Sequence, residues 1–153
     1  MIPLYKPYMP ELPLLFEIMH SGALAYGNYT KQFENALAMY LSTETNKPYV
    51  IAVNTFGAAI SVMLSTFGLK EGDEIIASPM ACLASTQAYA TSGLKVVWAD
   101  VHPQTGTLCP DSVKRTITTN TKAVVHNHFC GYAGFIDEIN AIGREYSIPV
   151  RLS

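Results

Sequence analysis

Hydrophobic and polar positions change their rhythm along this chain. From Tyr49 onward, short β-rich runs recur at similar intervals: Tyr49 to Val53, Glu74 to Ala77, Lys95 to Ala99 and Lys122 to Val125. A fifth begins at Ile148-Pro149-Val150. Between them the apolar positions follow helical spacing. Ile60, Leu64 and Phe67 share one helical face, and Gly68 stands where a left-handed C-terminal cap is expected. Pro110 and Asp111 open a short helix, because proline fits a first helical turn and aspartate can satisfy free amides there. Ile136, Ile139 and Ile142-Gly143 mark another helix, ending near Tyr146. Strands alternating with helices predict an α/β fold: a mostly parallel sheet with helices on both faces. Val50-Ile51-Ala52-Val53 and Val96-Val97-Trp98 are continuously apolar, as strands covered on both faces are.

The beginning of the chain reads differently. Pro10 to His20 predicts a helix ending at Ser21-Gly22, and Asn28 to Leu41 a second, with Phe33, Leu37, Tyr40 and Leu41 on its apolar face. We therefore divide the chain into a helical segment, residues 1–45, and an α/β region, residues 46–153. No repeat, low-complexity tract or linker interrupts either.

Composition narrows the setting. Apolar residues make up 49% of the 153 positions and charged residues only 14%, so part of the apolar surface is expected to meet another surface. The net charge of -2, with Lys and Arg scattered singly, gives no footprint for nucleic acid or an acidic membrane. Charged, Gly or Pro residues interrupt every apolar run before it could span a bilayer. The start, Met1 to Pro7, lacks the basic and apolar stretches of a signal peptide. Cys82, Cys109 and Cys130 are odd in number with no CxxC pairing, which implies a reducing compartment and a cytoplasmic protein.

Ligands of open α/β sheets bind beyond the carboxyl ends of strands. Three such ends are legible. Asn54-Thr55-Phe56-Gly57-Ala58-Ala59 runs from a strand directly into a helix, where small residues and free amides suit a phosphate. Ser78 to Thr86 offers small hydroxyl-bearing residues that line a pocket or cap a helix. His126, His128 and Cys130 would share one side of an extended strand. Three ligands in strict alternation on one strand surround an ion poorly, so no metal site is expected. Asp100, before His102-Pro103, reads as a turn residue, and Asp137 and Glu138 as solvated helix residues.

Taken in order, these segments resemble the DegT/DnrJ/EryC1/StrS family of sugar-nucleotide aminotransferases. The resemblance rests on Pro3-Leu4, Ser21-Gly22, Gly27 and Phe33-Glu34, then on Gly72-Asp73-Glu74-Ile75-Ile76. It continues through Gln87-Ala88, Gly93, Val96-Val97, Asp100, Thr105, Ile117-Thr118, Thr121-Lys122-Ala123, and His128 with Gly131, covering residues 2–150. It implies part of the large domain of a type I pyridoxal 5'-phosphate (PLP) transferase, working as a homodimer. It also implies amino transfer, with glutamate as the usual donor, to a keto sugar carried on a nucleotide. Carried over by position, the phosphate-binding turn falls on Thr55-Phe56-Gly57, with Gly57 where the family has a threonine. The residue stacked on the pyridine ring falls on Cys82, a thiol in place of an aromatic face.

The last residues depart further. Where the family continues into an acidic pair whose Asp keeps the pyridine nitrogen protonated, this chain reads Arg151-Leu152-Ser153. Arg151 in a covered strand would be costly without a partner. Lys6, Lys31, Lys47, Lys70, Lys95, Lys114 and Lys122 match none of the family's catalytic positions. The resemblance thus implies a truncated large domain, inactive by itself, with no catalytic residue assigned. An isolated piece of this kind is expected to aggregate or dimerise through its exposed apolar surface. Other readings are a non-catalytic module that dimerises or binds a nucleotide sugar, a PLP-dependent sugar dehydratase relative, and a metal-binding protein using His126, His128 and Cys130.

Overall fold

The computed structural model describes residues 6–152, so Pro3-Leu4 and Ser153 lie outside the described residues. The chain divides between Ala52 and Val53 into two compact units.

The first unit holds helices α1 (Leu15–His20) and α2 (Asn28–Leu41). The helix expected from Pro10 begins five residues later. Pro13 explains the delay, because a proline drives the residue before it out of helical geometry. The first helical bonds accordingly run from Leu15 N to Leu12 O and from Ile18 N to Leu14 O. Glu34 on α2 accepts hydrogen bonds from the Tyr26 hydroxyl and the Ala52 amide, each at 2.8 Å. These two bonds, that of Ala52 first, hold its carboxyl below the usual carboxylate value. The run Tyr49 to Val53 is not a strand. A strand persists by ladder bonding, and no described residue pairs with this run; Tyr49 is 99% exposed and Ile51 74%.

The second unit contains α3 (Phe56–Thr66), β1 (Glu74–Ala77), α4 (Leu83–Thr91), β2 (Lys95–Trp98), α5 (Pro110–Thr116), β3 (Thr121–His126), α6 (Ile136–Tyr146) and β4 (Val150–Leu152). Its four strands form one parallel sheet in the order β2-β1-β3-β4. Strand alternation divides the core in two. Ile75, Ala77, Ala123 and Val125 pack with Ile60 and Leu64 of α3 and Ala88 and Tyr89 of α4. Ile76 and Val124 pack on the opposite face with Val113 of α5 and Ile139 and Ile142 of α6. Each of the large side chains contributes about 1.5–3 kcal/mol by leaving water. Helices therefore cover both faces, as the alternation of elements predicts.

The two outer strands are less enclosed than their sequences imply. β2 lies at one edge, where Trp98 is 49% exposed. β4 lies at the other, and Arg151 is exposed, its guanidinium stacked 4.3 Å over the Phe67 ring. The expected cost of burying that arginine does not arise. At the amino edge of the sheet, Glu74 accepts a 2.6 Å bond from Lys95 and another 2.6 Å bond from the Thr118 hydroxyl. This carboxylate ties β2 to the start of β3 through β1. Gly68 closes the α3 end with φ +63°, the left-handed conformation glycine adopts without strain.

Candidate functional site

The carboxyl edge of the sheet is organised by two helix starts and the end of β3. Thr55 has an extended backbone, and its Oγ1 accepts the Ala58 amide at 3.1 Å, the bond of a helix N-cap. Its carbonyl accepts Ala59 N at 3.2 Å. The amides of Phe56 and Gly57 are the remaining donors of this first turn, and they lie at the positive end of the helix dipole. A Cβ placed on Gly57 would meet nothing nearer than Thr55 Oγ1 at 4.0 Å, so this turn leaves space above the amides.

Thr55, Gly57 and Ser61 line one wall of an open cleft of about 290 Å³; Ala84, Gln87, Ala88 and Thr91 of α4 line the other. Of the residues singled out in the sequence, Thr55 and Gly57 meet here. Phe56, 46% exposed, and Cys82, the exposed N-cap of α4, stand outside the lining. No lysine lines this cleft. A larger hollow of about 640 Å³, bounded by Thr118, Thr121 and Tyr146, lies at the amino edge of β3. Its Thr118 and Thr121 hydroxyls are already engaged, with Glu74 and with the Thr118 amide respectively.

The loop between β1 and α4 is pinned at both ends. The Ser78 hydroxyl accepts the Met80 amide at 3.1 Å, and Cys82 O accepts the Ser85 amide at 2.9 Å. Asn127, just beyond β3, donates through Nδ2 to Met80 O at 3.3 Å. Asp100 behaves as a turn residue, its carboxylate accepting the Val101 amide at 2.9 Å, and Asp137 and Glu138 are exposed on α6.

The expected alignment of His126, His128 and Cys130 does not occur. β3 ends at His126, and Cys130 enters a single 3₁₀ turn with φ +53°, so strand alternation stops before the second histidine. His126 is fully buried, with Nε2 donating to Ala133 O at 2.9 Å, which leaves Nδ1 as the unprotonated acceptor. Burial lowers its pKa below the usual histidine value. The His128 ring stands edge-on to it at 5.5 Å. Among the described residues, no three of His, Cys, Asp or Glu gather closely enough to hold a metal. His126 Nδ1, Asn127 Oδ1 and His128 Nε2 are buried without a hydrogen-bond partner. Asn127 escaped the sequence reading; the alternation of β3 was the signal for it, since it extends the Ala123, Val125 face toward α4.

A parallel sheet covered on both faces, with a cleft that runs between α3 and α4 from Thr55 and Ala84 to Ser61 and Thr91, is part of the large domain of a type I PLP-dependent transferase. The chain belongs to the DegT/DnrJ/EryC1/StrS aminotransferase family, which matches residues 10–152. It is 33% identical over 139 residues to the 3-oxo-glucose-6-phosphate:glutamate aminotransferase of Bacillus subtilis (strain 168), covering 91% of this chain and 31% of the relative. The structure of ntda from Bacillus subtilis with bound cofactor PMP is similar at 32% identity and TM-score 0.82, over 90% of this chain and 31% of that one. The aminotransferase TlmJ from Streptoalloteichus hindustanus matches at 29% identity and TM-score 0.87, over 100% and 42%. The chain thus spans about a third of the length of the curated relative it matches. PLP is the cofactor of this family, and the similar ntda structure holds its amino form, PMP. No helix among the described residues is long and apolar enough to cross a membrane.

Proposed function

We propose that this chain supplies the cofactor-binding region of a PLP-dependent aminotransferase that acts on a nucleotide-linked keto sugar, with glutamate as donor. The turn into α3 carries the reading. Thr55, Phe56 and Gly57 hold the cofactor phosphate: two first-turn amides donate to it, and Thr55 adds its hydroxyl proton while Oγ1 caps Ala58. Cys82, at the start of the facing helix, borders the ring, with less contact area than an aromatic side chain offers. Bound PLP supplies an electron sink for bonds at the amino-bearing carbon. With no lysine in the cleft lining, these residues bind and orient the cofactor and form no covalent link to it. The exposed Phe33, Met39 and Tyr40 of the first unit suit contact with a second subunit in a homodimer. Three free cysteines accord with a cytoplasmic setting.

The test is titration with pyridoxamine 5'-phosphate, which needs no imine and so ignores surface lysines. Saturable binding at one site per chain is expected. Gly57→Asp, which sets a carboxylate beside the amides, should weaken it at least tenfold while leaving phosphate-free pyridoxamine unaffected. Absence of binding by the unaltered chain would favour a non-catalytic module instead. The substrate has a second reading, a sugar phosphate, favoured by the 33% identical relative whose substrate is 3-oxo-glucose-6-phosphate. Competition between a nucleotide-linked keto sugar and a keto-sugar phosphate on the cofactor-loaded whole protein separates the two.

A further inference from the structure

Of the three unpartnered buried atoms at the end of β3, Asn127 Oδ1 alone belongs to the α3–α4 face of the sheet. Val125 packs in the core cluster of that face, and Asn127, two residues on, lines a small cavity with Ser78, Ser85 and Thr86 beside the first turn of α4. Its amide orientation follows from chemistry: Nδ2 faces Met80 O at 3.3 Å, and the reverse orientation would set two carbonyl oxygens against each other. Oδ1 is therefore an acceptor with no donor, a costly state for a buried group. The cavity, about 10 Å³, is of the size that admits one hydroxyl or amino group. It also adjoins the loop that delivers Cys82 to the ring side of the proposed site.

We propose that Asn127 is a ligand contact of this site, its Oδ1 accepting a hydrogen bond from a hydroxyl or amine on the ring side of the bound cofactor. This rests on the functional reading above. It assigns Asn127 a different part of the ligand from the α3 turn, which meets the phosphate. The two contributions therefore respond differently to removal of the phosphate.

The experiment compares pyridoxamine 5'-phosphate and pyridoxamine binding to the full chain and to Asn127→Ala and Asn127→Asp. Loss of one buried hydrogen bond should weaken both ligands about tenfold in N127A, by the same factor for each. N127D keeps the acceptor but sets a carboxylate oxygen toward Met80 O in place of the amide, so it should bind more weakly than the unaltered chain yet at least about threefold more tightly than N127A. Should N127A not unfold cooperatively, N127L, close in volume and equally without an acceptor, replaces it in the same comparison. Equal losses in N127A and N127D would mean that Asn127 only tethers the loop, and would overturn the proposal. So would unchanged affinity in N127A, the result expected if the cavity holds only a water. If the unaltered chain binds neither ligand, the functional reading itself falls, an outcome distinct from both.

Discussion

Helices α2 and α6 carry similar apolar stripes and reach opposite ends. In α6, Ile139 is 0% exposed and Ile142 3%, because the sheet and α5 present surfaces for them to meet. In α2, Phe33 remains 57% exposed and Tyr40 84%, and no residue of the helix is buried. The same contrast holds for the two units: every buried residue among those described lies after Ala52. An apolar stripe becomes core only where a second element offers a complementary face. Otherwise it is unused surface, whatever its periodicity.

The contrast breaks most sharply at the sheet. Ile76 is fully buried between β1 and the helices of its face. Ile76→Ala should cost about 2–5 kcal/mol, from lost transfer energy and the cavity left behind. Urea unfolding followed by circular dichroism measures it. A loss under about 1 kcal/mol would mean that this face is loosely packed and the comparison misdrawn.

The second effect is acid sensitivity, which in the sheet unit has two sources. Burial lowers the His126 pKa in the native chain, so unfolding takes up a proton as pH falls below about 6.5. Its penalty is absent above that value and grows below it, until the native ring titrates. Glu74 acts lower. Hydrogen bonds from Lys95, then Thr118, hold its carboxyl down, so its contribution is present above about pH 4.5 and lost as pH falls through the native value. Melting temperatures should therefore decline in two stages between pH 7 and pH 3, and Glu74→Gln should shrink the lower stage, to which Glu34 also contributes, and leave the upper one unchanged. A flat profile from pH 7 to pH 5 would refute the part assigned to His126.

A smaller cost belongs to the α3 cap. Thr55→Ala removes the bond to Ala58 N and should lower stability by about 1 kcal/mol in the same urea assay. The variant should also bind pyridoxamine 5'-phosphate more weakly. Unchanged stability would show that the hydroxyl does not cap the helix in solution.

Local signals explain which parts of the fold could be read in advance. β1 was legible from Glu74 to Ala77, and α6 from Ile136 to Tyr146, because each carries its own period and end signals. Lys95 to Ala99 overshot β2 by one residue, and Lys122 to Val125 fell one residue short of β3 at each end. Failures cluster where the outcome depends on distant residues. Tyr49 to Val53 has strand chemistry but no ladder partner among the described residues, and Val96 and Val97 do meet the two core faces while Trp98, on the same edge strand, is left 49% exposed. The cleft depends on the approach of α3 and α4, which no local pattern reports; it joins Thr55 and Gly57 to Gln87 and Thr91 and leaves Cys82 aside. Asn127 was hidden for the same reason, since its empty acceptor is defined by what surrounds it.

The smallest effect on stability is expected in the first unit, and it sharpens the comparison most. Phe33→Ala and Tyr40→Ala remove more apolar surface than Ile76→Ala, yet both side chains are already largely in water. In dilute solution each should change unfolding free energy by no more than about 0.5 kcal/mol, the range of substitutions away from packed features. The same variants should weaken self-association, visible in sedimentation velocity as a shift toward the monomer, if this surface faces a second subunit. A loss of several kcal/mol in the dilute monomer would place these rings in a core instead. The two units would then differ in composition alone, and the exposed stripe of α2 would no longer support a subunit contact.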